Sequence, residues 1–186
     1  VKRYLVEKFD LSVKRDVVIA GIGPGAEAQM TLALVDACEQ ADVLIGAGRM
    51  TKAVEKYQKP MLAEYSPEKI YEYLKAHPEY EKIVLLQSGD VGFYSGAKKL
   101  KEALADYPLR FICGISSGVY FASKLQTSWD DMLLTSMHGR SLNLLDALKK
   151  SGKVFTLASD AKSIRELADF LLEYGRTDLI MSVGTN

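Results

Sequence analysis

Three glycine-rich segments and one short His/Arg segment carry the residue types that could do chemistry in this chain. The first, Gly21-Ile22-Gly23-Pro24-Gly25-Ala26, fits the pattern G-x-G-x-x-G/A. Glycines there let the backbone approach a ligand closely, although the same letters also describe a tight structural turn. Two details argue against a nicotinamide site. In such a site the helix opens at the third small residue, so its N-terminal amides meet the pyrophosphate. Here Pro24 intervenes, and a helical spacing starts only near Thr31. The acidic ribose ligand expected roughly 20 residues on, at the end of the second strand, is replaced by Gly46-Ala47-Gly48-Arg49.

The second segment is Ser88-Gly89-Asp90-Val91-Gly92-Phe93-Tyr94. Asp90 can accept hydrogen bonds from hydroxyls or an ammonium, or cap the following turn. Phe93 or Tyr94 can lie against a ring. The third is Cys113-Gly114-Ile115-Ser116-Ser117-Gly118. Ser116 or Ser117 suits a helix cap, and no G-x-S-x-G elbow marks a nucleophilic serine. The fourth is Ser136-Met137-His138-Gly139-Arg140. There His138 and Arg140 read either as base and carboxylate clamp or as a plain surface pair. His77, beside Pro78, is assigned nothing.

Short apolar runs ended by glycine alternate with helical patterns, which predicts a parallel α/β sheet buried on both faces. Strands are expected at Val17–Ala20, Val43–Ile45, Ile83–Leu86 and Leu109–Ile112. Helices are expected from a Thr31 cap onward, at Pro67–Ala76, Gly96–Leu104 and about Ser117–Leu125. Such sheets collect ligands outside the carboxyl ends of their strands, where the three glycine segments fall. After Gln126 the pattern restarts, with strands at Met132–Thr135, Val154–Ala158 and Leu179–Val183 and helices at Leu142–Lys149 and Ser163–Tyr174. The expected organisation is an N-terminal extension over 1–16, a first α/β domain over 17–126 and a second, incomplete one over 127–186.

With 48% apolar residues among 186, the chain can bury a core, and its 24 Lys+Arg balance 24 Asp+Glu. No global field points to nucleic acid or membrane, so an anionic ligand needs a local cluster of cations. No apolar run reaches the roughly 18 residues of a membrane span, and the start of the chain lacks a signal-peptide pattern. Cys38 and Cys113 read as buried, reduced thiols of a cytoplasmic protein. Two His and two separated Cys give no zinc spacing, so no metal is expected.

The ordered set formed by Gly21–Gly25, Ala41-Asp42-Val43, Ser88–Asp90 and Gly114–Ser117 resembles the tetrapyrrole methylase family. The tail, Trp129-Asp130-Asp131 followed by Ser136–Arg140, looks most like its branch that methylates C(5) of cobalt-precorrin-7. The resemblance implies two α/β domains with a cleft between them for S-adenosylmethionine. Carried over by position, Pro24, Gly89, Asp90, Phe93, Ser116, Ser117 and Ala158 would bind that donor. Gly21, Gly23, Gly25, Arg49, His138 and Arg140 would face an anionic tetrapyrrole, with Lys52 as a further anchor and His138 as a base. The family's Gly-Asp-Pro is Gly89-Asp90-Val91 here. A homodimer and a separate C(15)-methylating decarboxylase partner are further expectations of the resemblance.

Overall fold

A computed structural model describes residues 15–137 and 143–185. It divides into two compact units at Ser117–Gly118. The first holds β1 (Asp16–Gly21), α1 (Leu32–Gln40), β2 (Val43–Gly46), α2 (Gly48–Ala53), β3 (Met61–Ala63), α3 (Pro67–Ala76), β4 (Lys82–Gln87), α4 (Ala97–Ala103) and β5 (Leu109–Ile112). The strands form one sheet in the order β3-β2-β4-β1-β5. Every pairing is parallel.

The central strands are apolar throughout because both of their faces are covered. Val17, Ile19, Val43, Ile45, Ile83 and Leu85 point to one side. There they meet Ile70 and Leu74 of α3 and Leu100 of α4. Val18, Ala20, Leu44, Val84 and Leu86 point to the other, against Leu34 and Cys38 of α1 and Val54 beyond α2. Each fully buried Leu or Ile adds about 1.5–3 kcal/mol. Of this unit's helices, α1 and α3 start at side chains that cap them. Thr31 Oγ1 accepts from Leu34 N at 3.3 Å ahead of α1, and Ser66 Oγ from Lys69 N at 3.4 Å ahead of α3. Pro67 then takes the first turn of α3, where its missing N–H removes no helical bond.

Covering both faces follows from the strand order. Crossovers β1–α1–β2 and β2–α2–β3 move toward the β3 edge, whereas β3–α3–β4 and β4–α4–β5 move toward the β5 edge. Parallel crossovers are right-handed, so opposite travel places the two helix pairs on opposite faces. Neighbours β1 and β4 therefore send their chains to different sides, and a crevice opens between their carboxyl ends.

Two expectations about the chain start and the cysteines change. Asp16 belongs to β1, not to an extension, and holds Arg110 of β5 through two hydrogen bonds of 2.8 and 2.6 Å. Arg15 donates to the Leu74 and His77 carbonyls at 2.7 and 2.8 Å, neutralising the carbonyl end of α3. Cys38 is fully buried, and burial pushes its thiol up to about 12. Cys113 is exposed, because it follows the edge strand β5, whose middle residues Arg110 and Phe111 are also exposed.

The second unit contains most of α5 (Ser117–Lys124), then β6 (Met132–Ser136), α6 (Leu144–Lys150), β7 (Lys153–Leu157) and α7 (Ala161–Glu173). Strands β6 and β7 pair in parallel. Helix α5 goes with this unit, ahead of the boundary expected near Thr127, because Gly118 lies against Leu134 and Phe155. Asn143 and Asp160 cap α6 and α7 through bonds of 3.2 and 2.7 Å. The strand expected at Leu179–Val183 does not form among the described residues. A strand requires a partner for its N–H and C=O groups, and the sheet here is β6-β7 alone.

Candidate functional site

The three glycine segments meet at the carboxyl end of the first unit's sheet. Beyond β1, Gly23 forms an antiparallel bridge with Gly89, which follows β4. Each donates its N–H to the other's carbonyl at 3.0 Å. Both sit at positive φ, +68° and +64°, a region that costs other L-residues about 1–2 kcal/mol. Gly114, beyond β5, presses against both chains. A Cβ on Gly21 would fall 2.9 Å from Gly114 N, and one on Gly114 would fall 2.6 Å from Gly21 O and collide with Gly89 O. Three backbones thus touch where any side chain would hold them apart.

Asp90 joins two of these segments. Its Oδ1 accepts from Gly92 N at 2.8 Å and its Oδ2 from Gly114 N at 3.0 Å. Arg49, at the start of α2 beyond β2, donates from Nη2 to Ser88 Oγ at 2.7 Å. Its guanidinium is exposed, and no carboxylate among the described residues pairs with it. Lys52 lies one turn further along α2 and is also exposed. Phe93 is half-buried and meets Tyr94 edge-on, with ring centroids 4.9 Å apart. Tyr94 holds φ +47° and is half-exposed. Pro24 and Gly25 continue the first loop, half-buried. Ser117 begins α5. The Ser116 hydroxyl does not act as the expected cap, being buried without a protein partner. Such a group costs about 1–3 kcal/mol until something pairs with it.

Gly21, Gly23, Pro24, Gly25, Arg49, Gly89, Asp90, Phe93, Ser116 and Ser117 therefore all lie at one end of one sheet. Ala158 lies elsewhere, immediately after β7 in the second unit. His138 and Arg140 lie outside the described residues. Sequence reasoning missed the Arg49–Ser88 contact, since those residues stand 39 positions apart. Both follow strands that are adjacent in the sheet, and adjacency is set by topology, not by local pattern.

A dinucleotide fold would place its first two strands side by side, whereas here β4 separates them. A short 3-10 turn, Glu27–Gln29, also intervenes before α1, so no long-helix amide points at Gly21–Gly25. What the crevice offers is main-chain groups without side chains, one unpaired hydroxyl, an aromatic pair and a cationic rim. It suits chemistry that depends on holding two reactants in line.

Fold and crevice define an α/β ligand-binding enzyme whose site is built mainly from strand-end glycines. The chain belongs to the Tetrapyrrole (Corrin/Porphyrin) Methylases, whose family model matches residues 16–185, and it is a methyltransferase. It is 32% identical over 167 residues to a probable cobalt-precorrin-7 C(5)-methyltransferase of Methanocaldococcus jannaschii, covering 86% of this chain and 77% of that one. The cobalt-precorrin-7 C(5)-methyltransferase of Salmonella typhimurium is 28% identical over 173 residues, covering 91% and 84%. Among solved structures, a cobalt precorrin-4 methyltransferase superposes with a TM-score of 0.69 at 19% identity, covering 86% and 75%. That likeness shows the fold.

Proposed function

We propose that the chain transfers a methyl group from S-adenosylmethionine to C(5) of a cobalt-precorrin-7-type corrinoid in cobalamin biosynthesis. The observation that carries this reading is the 32% identity to the Methanocaldococcus jannaschii protein across most of both chains. The crevice fits the donor in kind, because close packing of Gly114 against Gly21 and Gly89 brings three strand-end loops together backbone to backbone. The buried Ser116 hydroxyl provides a group for the donor to pair with.

When bound, the sulfonium donor supplies an electrophilic methyl with a good leaving group. The protein's own task is to orient and to keep water out. In this reading Pro24, Gly89, Phe93, Ser116 and Ser117 bind the donor, while Gly21, Gly23 and Gly25 face the macrocycle. Arg49 and Lys52 engage its carboxylates, a role that a planar guanidinium performs through paired hydrogen bonds. His138 and Arg140 are proposed as base and second clamp.

The test is isothermal titration with S-adenosylhomocysteine, with NAD+ as control, followed by turnover on a reduced cobalt-corrinoid read by mass spectrometry. Donor-product binding and addition of one methyl at C(5) are expected. Binding of NAD+ in place of S-adenosylhomocysteine, or methylation at another carbon, would overturn the reading.

A further inference from the structure

We infer that Asp90 is a positioning residue of this site and not one of its ligand contacts: its carboxylate fixes, from beneath, the main chain against which the methyl donor lies. This rests on the donor reading above.

The sheet order shows why such a residue is needed. Strands β4 and β5 are not neighbours, since β1 runs between them. Along the strands, β1 hydrogen-bonds to both and sets their spacing. Beyond Gly21 the chain after β1 stays bonded to the chain after β4 through Gly23 and Gly89, whereas its ladder with β5 ends at Ala20 and Ile112, so the loop after β5 loses that partner. The Asp90 side chain spans the opening. Its Oδ2 takes the Gly114 N–H at 3.0 Å, across to the loop after β5. Its Oδ1 takes the Gly92 N–H at 2.8 Å and closes the loop after β4.

An ionised carboxylate accepts and does not donate, so two main-chain N–H groups are its natural complement. Hydrogen bonds to charged groups are among the stronger ones in proteins. The consequence reaches the ligand through Gly114. That residue is held against Gly21 and Gly89 at contact distance, and Ser116, with its unpaired buried hydroxyl, follows two positions later. Releasing Gly114 N lets Gly114–Ser117 move away from Gly89 and opens the cradle.

A direct contact between Asp90 and the donor's ammonium makes a different prediction, and two probes separate the cases. S-Adenosylhomocysteine carries the amino-acid portion, and 5′-methylthioadenosine lacks it. Titration of wild type, Asp90→Ala and Asp90→Asn with both is the experiment. The positioning role predicts that Asp90→Ala weakens both probes by the same factor, roughly tenfold to a hundredfold. Asp90→Asn keeps one acceptor oxygen and should lose less, again equally for both. Amide exchange should accelerate over 113–117 while β1 stays protected, which separates local release from general destabilisation.

Loss confined to S-adenosylhomocysteine would assign Asp90 to the amino-acid portion and overturn the inference. Unchanged affinity for both probes would overturn it as well. If Asp90→Ala does not fold, Asp90→Asn carries the comparison. Wild type that binds neither probe would sink the donor reading itself, before any variant is measured.

Discussion

Replacing Gly114 with alanine tests the geometry of the site without altering any charge. A Cβ there would stand 2.6 Å from Gly21 O and overlap Gly89 O. Both neighbours are main-chain atoms fixed by the sheet, so neither can swing aside as a flexible side chain would. The loop after β5 has to move instead. Overpacking of this kind costs about 1–3 kcal/mol. Movement of Gly114 N also breaks its 3.0 Å bond to Asp90, a further loss of about 1 kcal/mol at a half-buried group. The sum, about 2–4 kcal/mol, corresponds to a drop of roughly 4–16 °C in Tm for a chain of this size. The control is Gly152→Ala, where nothing lies within 4 Å of the new methyl and the change should stay within about 0.5 kcal/mol. Thermal denaturation followed by circular dichroism gives the stabilities, and S-adenosylhomocysteine titration reports the site. A Gly114→Ala protein that melts within about 2 °C of the Gly152→Ala control would refute the close-approach argument.

Arg49→Ala should raise KM for the corrinoid roughly tenfold or more while leaving S-adenosylhomocysteine affinity unchanged, because Arg49 reaches Ser88 at the rim and not the glycine cradle. Equal loss of both would place Arg49 in the donor site or in the fold. Thiol titration of the native protein near pH 8 should label Cys113 alone. Cys38 is buried and its thiol is pushed up to about 12, whereas Cys113 is exposed. Cys113→Ser should abolish native labelling, and denaturation should release the second thiol.

Much of the first unit was legible because its strands are buried on both faces and read as unbroken apolar runs. Val17–Ala20, Ile83–Leu86 and Leu109–Ile112 fall within β1, β4 and β5, and Pro67–Ala76 coincides with α3. The Thr31 cap was legible for the same local reason. Elements too short to show a period were hidden. Strand β3 has three residues at a sheet edge, and α2 begins in Gly48, which reads as loop. The Leu179–Val183 run has strand composition without a paired neighbour, and composition does not supply one. The glycine loops were found as candidates from their letters. Their convergence was not, because nothing local encodes that β4 inserts between β2 and β1. The competing roles weighed for Asp90, ligand contact or turn cap, differ in partners 24 positions away at Gly114, beyond the reach of a local pattern.

The position of β1 also has a temporal side. It is the first strand of the sheet to leave the ribosome, yet its two partners are Lys82–Gln87 and Leu109–Ile112. Until the first of them has been made, Val17-Val18-Ile19-Ala20 is an unpaired run of high β-propensity, the kind of segment that sticks to its like. Nascent chains of this protein therefore pass through a long window in which an apolar strand has no place to go. Pairings so distant along the chain are formed late and slowly. Overexpression should fail first by inclusion-body formation, and slower translation or a holding chaperone should recover the soluble fraction.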